Sequence, residues 1–218
     1  MVLRTEPGCR PAICILKPLT LYLYHMQYKL LLLVAGLTYL GSAEAQIVFE
    51  KIDTTMKIGK TGYKLNCRNQ KGSQNQLAIR PIGFESPASE GMNFPVRGRI
   101  SMAQVDDLNG DGVADLILFL YTDTAAIHGT VLAFISDGTK SIQPAALPDL
   151  SLDGKLNGGY KGHDQFTMLE GTLLQKFPVY KPDDKEEPTG GNRVVQYQLR
   201  KGESGGYKFA VVRSYDTH

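Results

Sequence analysis

The residue pattern predicts an all-β chain, a single-domain antiparallel β-sandwich of about eight strands. Two kinds of segment point there. Several short stretches alternate apolar and polar residues with the period of two that a half-buried strand requires. Two others are continuously apolar over seven or eight residues, as in strands covered on both faces. Composition agrees, because glycine (23) and proline (11) are frequent while tryptophan is absent. That usage suits short strands joined by many turns. No internal repeat with a period of 20–50 residues is present.

The strands follow in order. "YKLNCR" puts Tyr63, Leu65 and Cys67 on one face and Lys64, Asn66 and Arg68 on the other. Cys67 therefore reads as an inert core thiol. "QLAIRPI" (76–82) and "FPVRGRISMAQV" (94–105) continue the pattern, the latter bending at Gly98. "ADLILFLY" and "TVLAFIS" are the two continuous runs, joined by "TDTAAIHG". In "DQFTMLEGTLLQKFPVYK" a helical face is conceivable, but Thr167, Gly171, Thr172 and Pro178 favour two extended pieces. "RVVQYQL" and "YKFAVV" alternate again and form a hairpin across "KGESGG". "KPDDKEEPTGGN" (181–192) is a charged surface loop.

Length and composition fit one domain with a core: 218 residues, 42% hydrophobic and 21% charged. Residues 26–45 read as a signal peptide. Lys29 precedes an apolar run over 30–40, and the segment closes on Ala43-Glu44-Ala45. The run is too short to span a membrane, which takes about 20 apolar residues. Residues 1–25 read as an upstream extension from a mis-assigned start. The functional domain is then 46–218, periplasmic or secreted, with no stable membrane insertion. Removing 1–45 takes away four basic and two acidic residues and leaves 20 of each. A neutral domain with no basic run lacks the electrostatic footprint of a nucleic-acid binder. Cys9 and Cys14 leave too, so Cys67 has no partner within the mature chain.

Few residues promise chemistry. No His-x-x-x-His pair or phosphate-binding glycine loop occurs, and the Gly-x-Ser-x-Gly spacing of Gly202–Gly206 falls in the "KGESGG" hairpin turn and not in a strand-to-helix elbow. His163 beside Asp164 reads either as a base with its orienting acid or as a loop histidine bonded to backbone. The stretch "VDDLNGDGVADLILFL" carries oxygen donors at calcium-loop spacing: Asp107, Asn109, Asp111 and Asp115. Leu118 stands where an EF-hand places its bidentate Glu, and a strand follows. The same residues also read as a strand-to-strand turn, since Asn109-Gly110 and Asp111-Gly112 are strong turn dipeptides. Two exposed charges 4 Å apart repel by only about 1 kcal/mol in water, so no cation is needed. Calcium is the only cofactor the sequence suggests.

Three segments resemble the periplasmic inhibitors of I-type (invertebrate) lysozyme. "GGYKGHDQFTMLEGTLLQKFPVYKPDDKEEPTGGNRVVQYQL" has that family's Gly-His-Asp, Glu-Gly, Phe-Pro-Val-Tyr and Pro-Thr-Gly-Gly landmarks in order. "VDDLNGDGVADLILFL" and "YKLNCRNQKGSQNQLAIRPIGFE" resemble its turn and its first strands. The resemblance implies a β-sandwich, often a homodimer, that blocks I-type lysozyme by inserting a loop into its sugar-binding cleft. It implies no catalytic residue. The loop would be 122–129, with Thr124, Ala125, Ala126, Ile127, His128 and Gly129 as partner-binding residues. Here the chain departs from the family's Ser-Gly-Ser-Tyr-Gly: His128 takes the Tyr position, while Ala125 and Ile127 replace both Ser. Two other readings stay open. One is a calcium-stabilised extracytoplasmic binding or adhesion module, the other an inhibitor fold that has lost inhibition.

Overall fold

The computed structural model describes residues 49–71, 74–122 and 128–217, all within the compact unit Ile47–His218. The chain is all-β. Twelve antiparallel strands form three four-stranded sheets, and a 3₁₀ turn at Leu150–Leu152 is the one helical element among the described residues. The first sheet runs β1 (Ile52–Ile58), β2 (Thr61–Cys67), β3 (Gln74–Ile82) and β4 (Met92–Arg97). The second runs β5 (Arg99–Asp106), β6 (Asp115–Tyr121), β7 (Gly129–Asp137) and β8 (Ser141–Ala146). The third holds β9 (Gln165–Leu169), β10 (Thr172–Pro178), β11 (Asn192–Lys201) and β12 (Tyr207–Thr217). In each sheet, strands adjacent in sequence pair with one another, so every connection is a local hairpin.

Twelve strands, where about eight were expected, have specific causes. β1 exposes five of its seven residues and so shows no apolar alternation. β8 contains Pro144, which an edge strand tolerates because no neighbour needs its missing N–H. The single bending strand expected over 94–105 divides at Gly98 into β4 and β5, which lie in different sheets. Gly98 has φ +90°, and a Cβ there would strike the Tyr121 carbonyl oxygen. Only glycine passes that point.

Side-chain alternation along β6 feeds two cores. Leu116, Leu118 and Leu120 pack in one cluster with Tyr63, Leu65, Leu77 and Ile79 from the first sheet. Ile117 and Phe119 pack in a second with Leu173, Phe177, Val195 and Tyr197 from the third. Every residue of β6 is therefore buried, as its unbroken apolar run requires. Each fully buried large apolar side chain contributes about 1.5–3 kcal/mol relative to exposure. A register shift between Ile100 and Met102 breaks the alternation of β5. Ser101 at that bulge donates its hydroxyl to the Phe119 carbonyl at 3.2 Å.

Candidate functional site

Two features sit at the ends of β6. Before it lies the 107–115 turn, which is closed by its own side chains. Asp107 Oδ1 accepts the backbone N–H groups of Gly110 and Asp111 at 2.9 and 3.0 Å, and Oδ2 accepts that of Gly112 at 2.9 Å. Asp111 Oδ1 accepts from Val113 N–H, and its Oδ2 accepts from Gly138 N–H on the β7–β8 turn. Asn109 directs its amide nitrogen at Asp111 Oδ2 and the Ser136 carbonyl. Asp115 is fully buried and accepts from Leu108 N–H and from both the N–H and hydroxyl of Ser136. The three carboxylates thus face N–H and O–H donors and the Asn109 amide bridges two acceptors, the arrangement of a hydrogen-bonded turn. Among the described residues, no group of three or more His, Cys, Asp or Glu side chains converges as a metal site.

After β6 comes the connection to β7. Thr124, Ala125, Ala126 and Ile127 lie outside the described residues, while His128 and Gly129 are described. Thr122 N–H donates to the His128 carbonyl at 3.1 Å, closing the hairpin just beyond the strands. His128 is exposed, and its ring meets the Tyr160 ring edge-on, with centroids 6.2 Å apart. Gly129 donates its N–H to Asp164 Oδ2 at 2.9 Å. A Cβ on Gly129 would meet Phe166 Cε2 at 2.5 Å, so the glycine is what lets this strand end approach β9. Tyr121, the last residue of β6, donates its hydroxyl to the Asp164 carbonyl at 2.6 Å.

Asp164 is the centre of a buried polar chain. Its Oδ2 also accepts the Tyr160 hydroxyl at 2.7 Å, and Oδ1 accepts the Gln175 amide at 2.8 Å. Gln175 in turn accepts the Tyr197 hydroxyl at 2.9 Å. Burial pushes the Asp164 carboxyl above the usual carboxylate range. The hydrogen bonds from Gly129, Tyr160 and Gln175 and the charge of nearby His128 oppose that rise. Burial likewise raises the Tyr160 and Tyr197 hydroxyls, which Asp164 raises further. Tyr121 is pushed up to about 12 by the same two causes. All three phenols therefore stay protonated as donors at neutral pH.

No protein-family model, curated protein or solved structure matches this chain. The site is defined by its geometry alone.

The structure separates one candidate pair and joins residues the sequence left apart. His163 is exposed with φ +62°, while Asp164 beside it is buried. The carboxylate's oxygens are committed to Gly129, Tyr160 and Gln175, so the pair is not built as a base with its orienting acid. Cys67 is 1% exposed and burial raises its thiol, in keeping with an inert core residue. Tyr121, Tyr160, Gln175 and Tyr197 were not singled out in the sequence. Gln175 carried the one available signal, a polar residue between Leu173 and Phe177 on the inward face of its strand.

Proposed function

We propose that the mature domain is a secreted, periplasmic protein inhibitor of I-type lysozyme and not an enzyme. In this reading it is a layered β-sandwich whose 122–129 connection enters the enzyme's sugar-binding cleft. The observation that carries it is the anchoring of that connection, with Tyr121 at one end and Gly129 at the other both bonded to buried Asp164. A connection fixed at both ends loses less entropy when it binds. Exposed His128 stands at the position where the resembled family has a tyrosine, and its imidazole is the side chain that would meet the enzyme in place of that hydroxyl. A lysozyme cleft carries a pair of carboxyl groups, and a hydrogen bond from imidazole to carboxylate is of the strong, charge-assisted kind. The neutral charge balance of 46–218 leaves shape and such local bonds, rather than long-range steering, to make the interface.

The test is suppression of lysis by purified mature protein against I-, C- and G-type lysozymes in parallel. Inhibition confined to the I-type enzyme at micromolar or lower concentration supports the reading. Absence of suppression at those concentrations rejects it.

A further inference from the structure

We propose that the face of the third sheet turned away from its core is a docking surface for an acidic polysaccharide, one whose sugars carry carboxylates. Such binding is independent of lysozyme inhibition. Residues 46–218 are neutral, with 20 basic and 20 acidic side chains. Strands β9–β12 depart from that balance: they carry Lys176, Arg193, Arg200, Lys201, Lys208 and Arg213 and a single acid, Asp216. Arg193 takes that acid in two hydrogen bonds, at 2.7 and 3.0 Å, and Lys201 lies 4.0 Å from Asp137. Lys176, Arg200, Lys208 and Arg213 are exposed and, among the described residues, have no carboxylate partner.

Register puts these four on one face. Leu173, Phe177, Val195, Tyr197 and Phe209 belong to the second core cluster. The alternate positions, with Lys176 on β10, Arg200 on β11 and Lys208 on β12, point the other way. Lys208 stands directly opposite Arg200, and like charges so placed repel unless an anion joins them. Simple alternation from Phe209 and Val211 would turn Arg213 toward the core. A bulge at Val212 re-aims it instead, opposite Gln196. Arg213 Nε–H donates to Gln196 Oε1 at 2.7 Å, and Gln196 Nε2 donates to Thr172 Oγ1 at 3.1 Å. The Thr172 hydroxyl donates to the Leu169 carbonyl at 2.7 Å, so the row crosses all four strands. It fixes the guanidinium over the sheet and leaves the two terminal nitrogens, a fork that matches a carboxylate.

From Val194, opposite Lys176, to Arg200 is about 20 Å of β11. Cations spread over that length suit a linear chain with repeated charges better than one small anion. Between them stand Thr172, Gln196 and Gln198, whose hydroxyl and amide groups both donate to and accept from sugar hydroxyls. A bilayer would call for apolar side chains at these central positions. A nucleic-acid strand would call for open aromatic faces, and the Tyr215 ring already has the Arg213 guanidinium over it, 5.5 Å from its centroid.

The experiment titrates the purified protein with polygalacturonate by calorimetry, with dextran, phosphatidylglycerol vesicles and duplex DNA as parallel probes. Docking predicts saturable binding to polygalacturonate that weakens with salt, and none to dextran. The triple variant Arg200→Gln/Lys208→Gln/Arg213→Gln should bind about tenfold more weakly, the scale of three exposed charge contacts together. Lys64→Gln, a cation exposed on β2, should bind as wild type does. The single variants Arg213→Gln and Lys176→Gln serve if the triple variant fails to fold, and each should weaken binding about twofold. Absence of binding to polygalacturonate, equal binding to dextran, or equal binding by the folded variants overturns the proposal. Tighter binding to the vesicles or to DNA also overturns it, by giving the face to a membrane or a nucleic acid.

Discussion

Ser136 donates twice to one oxygen of Asp115, from its backbone N–H at 2.7 Å and from its hydroxyl at 2.8 Å. Leu108 N–H takes the other oxygen at 2.8 Å. The 107–115 turn is therefore pinned to β7 by a carboxylate with no exposed surface.

That carboxylate makes stability depend on pH. Burial outweighs its three hydrogen bonds, and neighbouring Asp111 adds to the effect, so the Asp115 carboxyl is pushed up to about 6 from an ordinary 3.8. A folded value above the unfolded one means that folding takes up a proton between them. The stabilising contribution is complete below about 3.8 and is lost as pH rises through about 6. Asp115→Asn should abolish this contribution to the slope over pH 4–6. It should also cost about 1–3 kcal/mol, because its amide nitrogen would face an N–H donor. Urea unfolding across pH 4–8 checks both, and parallel pH profiles for the two proteins would refute the assignment.

The turn should hold without calcium. Asp107→Ala leaves the Gly110 and Gly112 N–H groups without their acceptor, while that of Asp111 keeps Asn109 Oδ1, and should cost about 1 kcal/mol, the scale of a lost helix cap. Adding Ca²⁺ or chelator should leave the wild-type melting temperature unchanged. A gain near the value of about 2.7 kcal/mol expected for a ligand at 100 times its Kd would instead favour the calcium-stabilised module.

Gly98→Ala should be among the more damaging single-methyl changes. Its φ of +90° is strained for alanine, and the methyl would meet the Tyr121 carbonyl where the connection to β7 begins. The strain alone is about 1–3 kcal/mol. A urea midpoint equal to wild type would mean that β4 and β5 can separate elsewhere.

Cys67 should resist thiol reagents until the domain unfolds. It lies in the core with Tyr63 and Leu65, and burial raises its thiol. Labelling kinetics in native buffer and in denaturant test this, and rapid labelling of the native protein would contradict it.

Strands with strong patterns were legible in the sequence. β2 buries Tyr63, Leu65 and Cys67 as its alternation requires, and β6 is covered throughout. The ambiguous 164–181 stretch resolved into β9 and β10 around Glu170 and Gly171, both at positive φ. Gly110 and Gly112 likewise take the positive φ that their turn dipeptides imply. Edge strands hid because their pattern is weak: β1 is mostly exposed and β8 contains a proline. The division at Gly98 hid because the sheet to which a strand belongs is decided by long-range packing, which local periodicity does not carry. For the same reason the Asp164 chain was invisible. Gly129, Tyr160, Gln175 and Tyr197 meet only once the third sheet is in place, and Asp164 looked like a partner for its neighbour His163.

The inhibitor account is tested most directly by the inhibition constant of the purified protein against an I-type lysozyme, measured for wild type and His128→Ala. The account predicts inhibition at micromolar or lower concentration by wild type. It predicts a loss of about tenfold or more on replacing His128, the scale of one charge-assisted hydrogen bond. Lysis that proceeds unchanged at micromolar wild-type protein, or equal inhibition by both proteins, would contradict it.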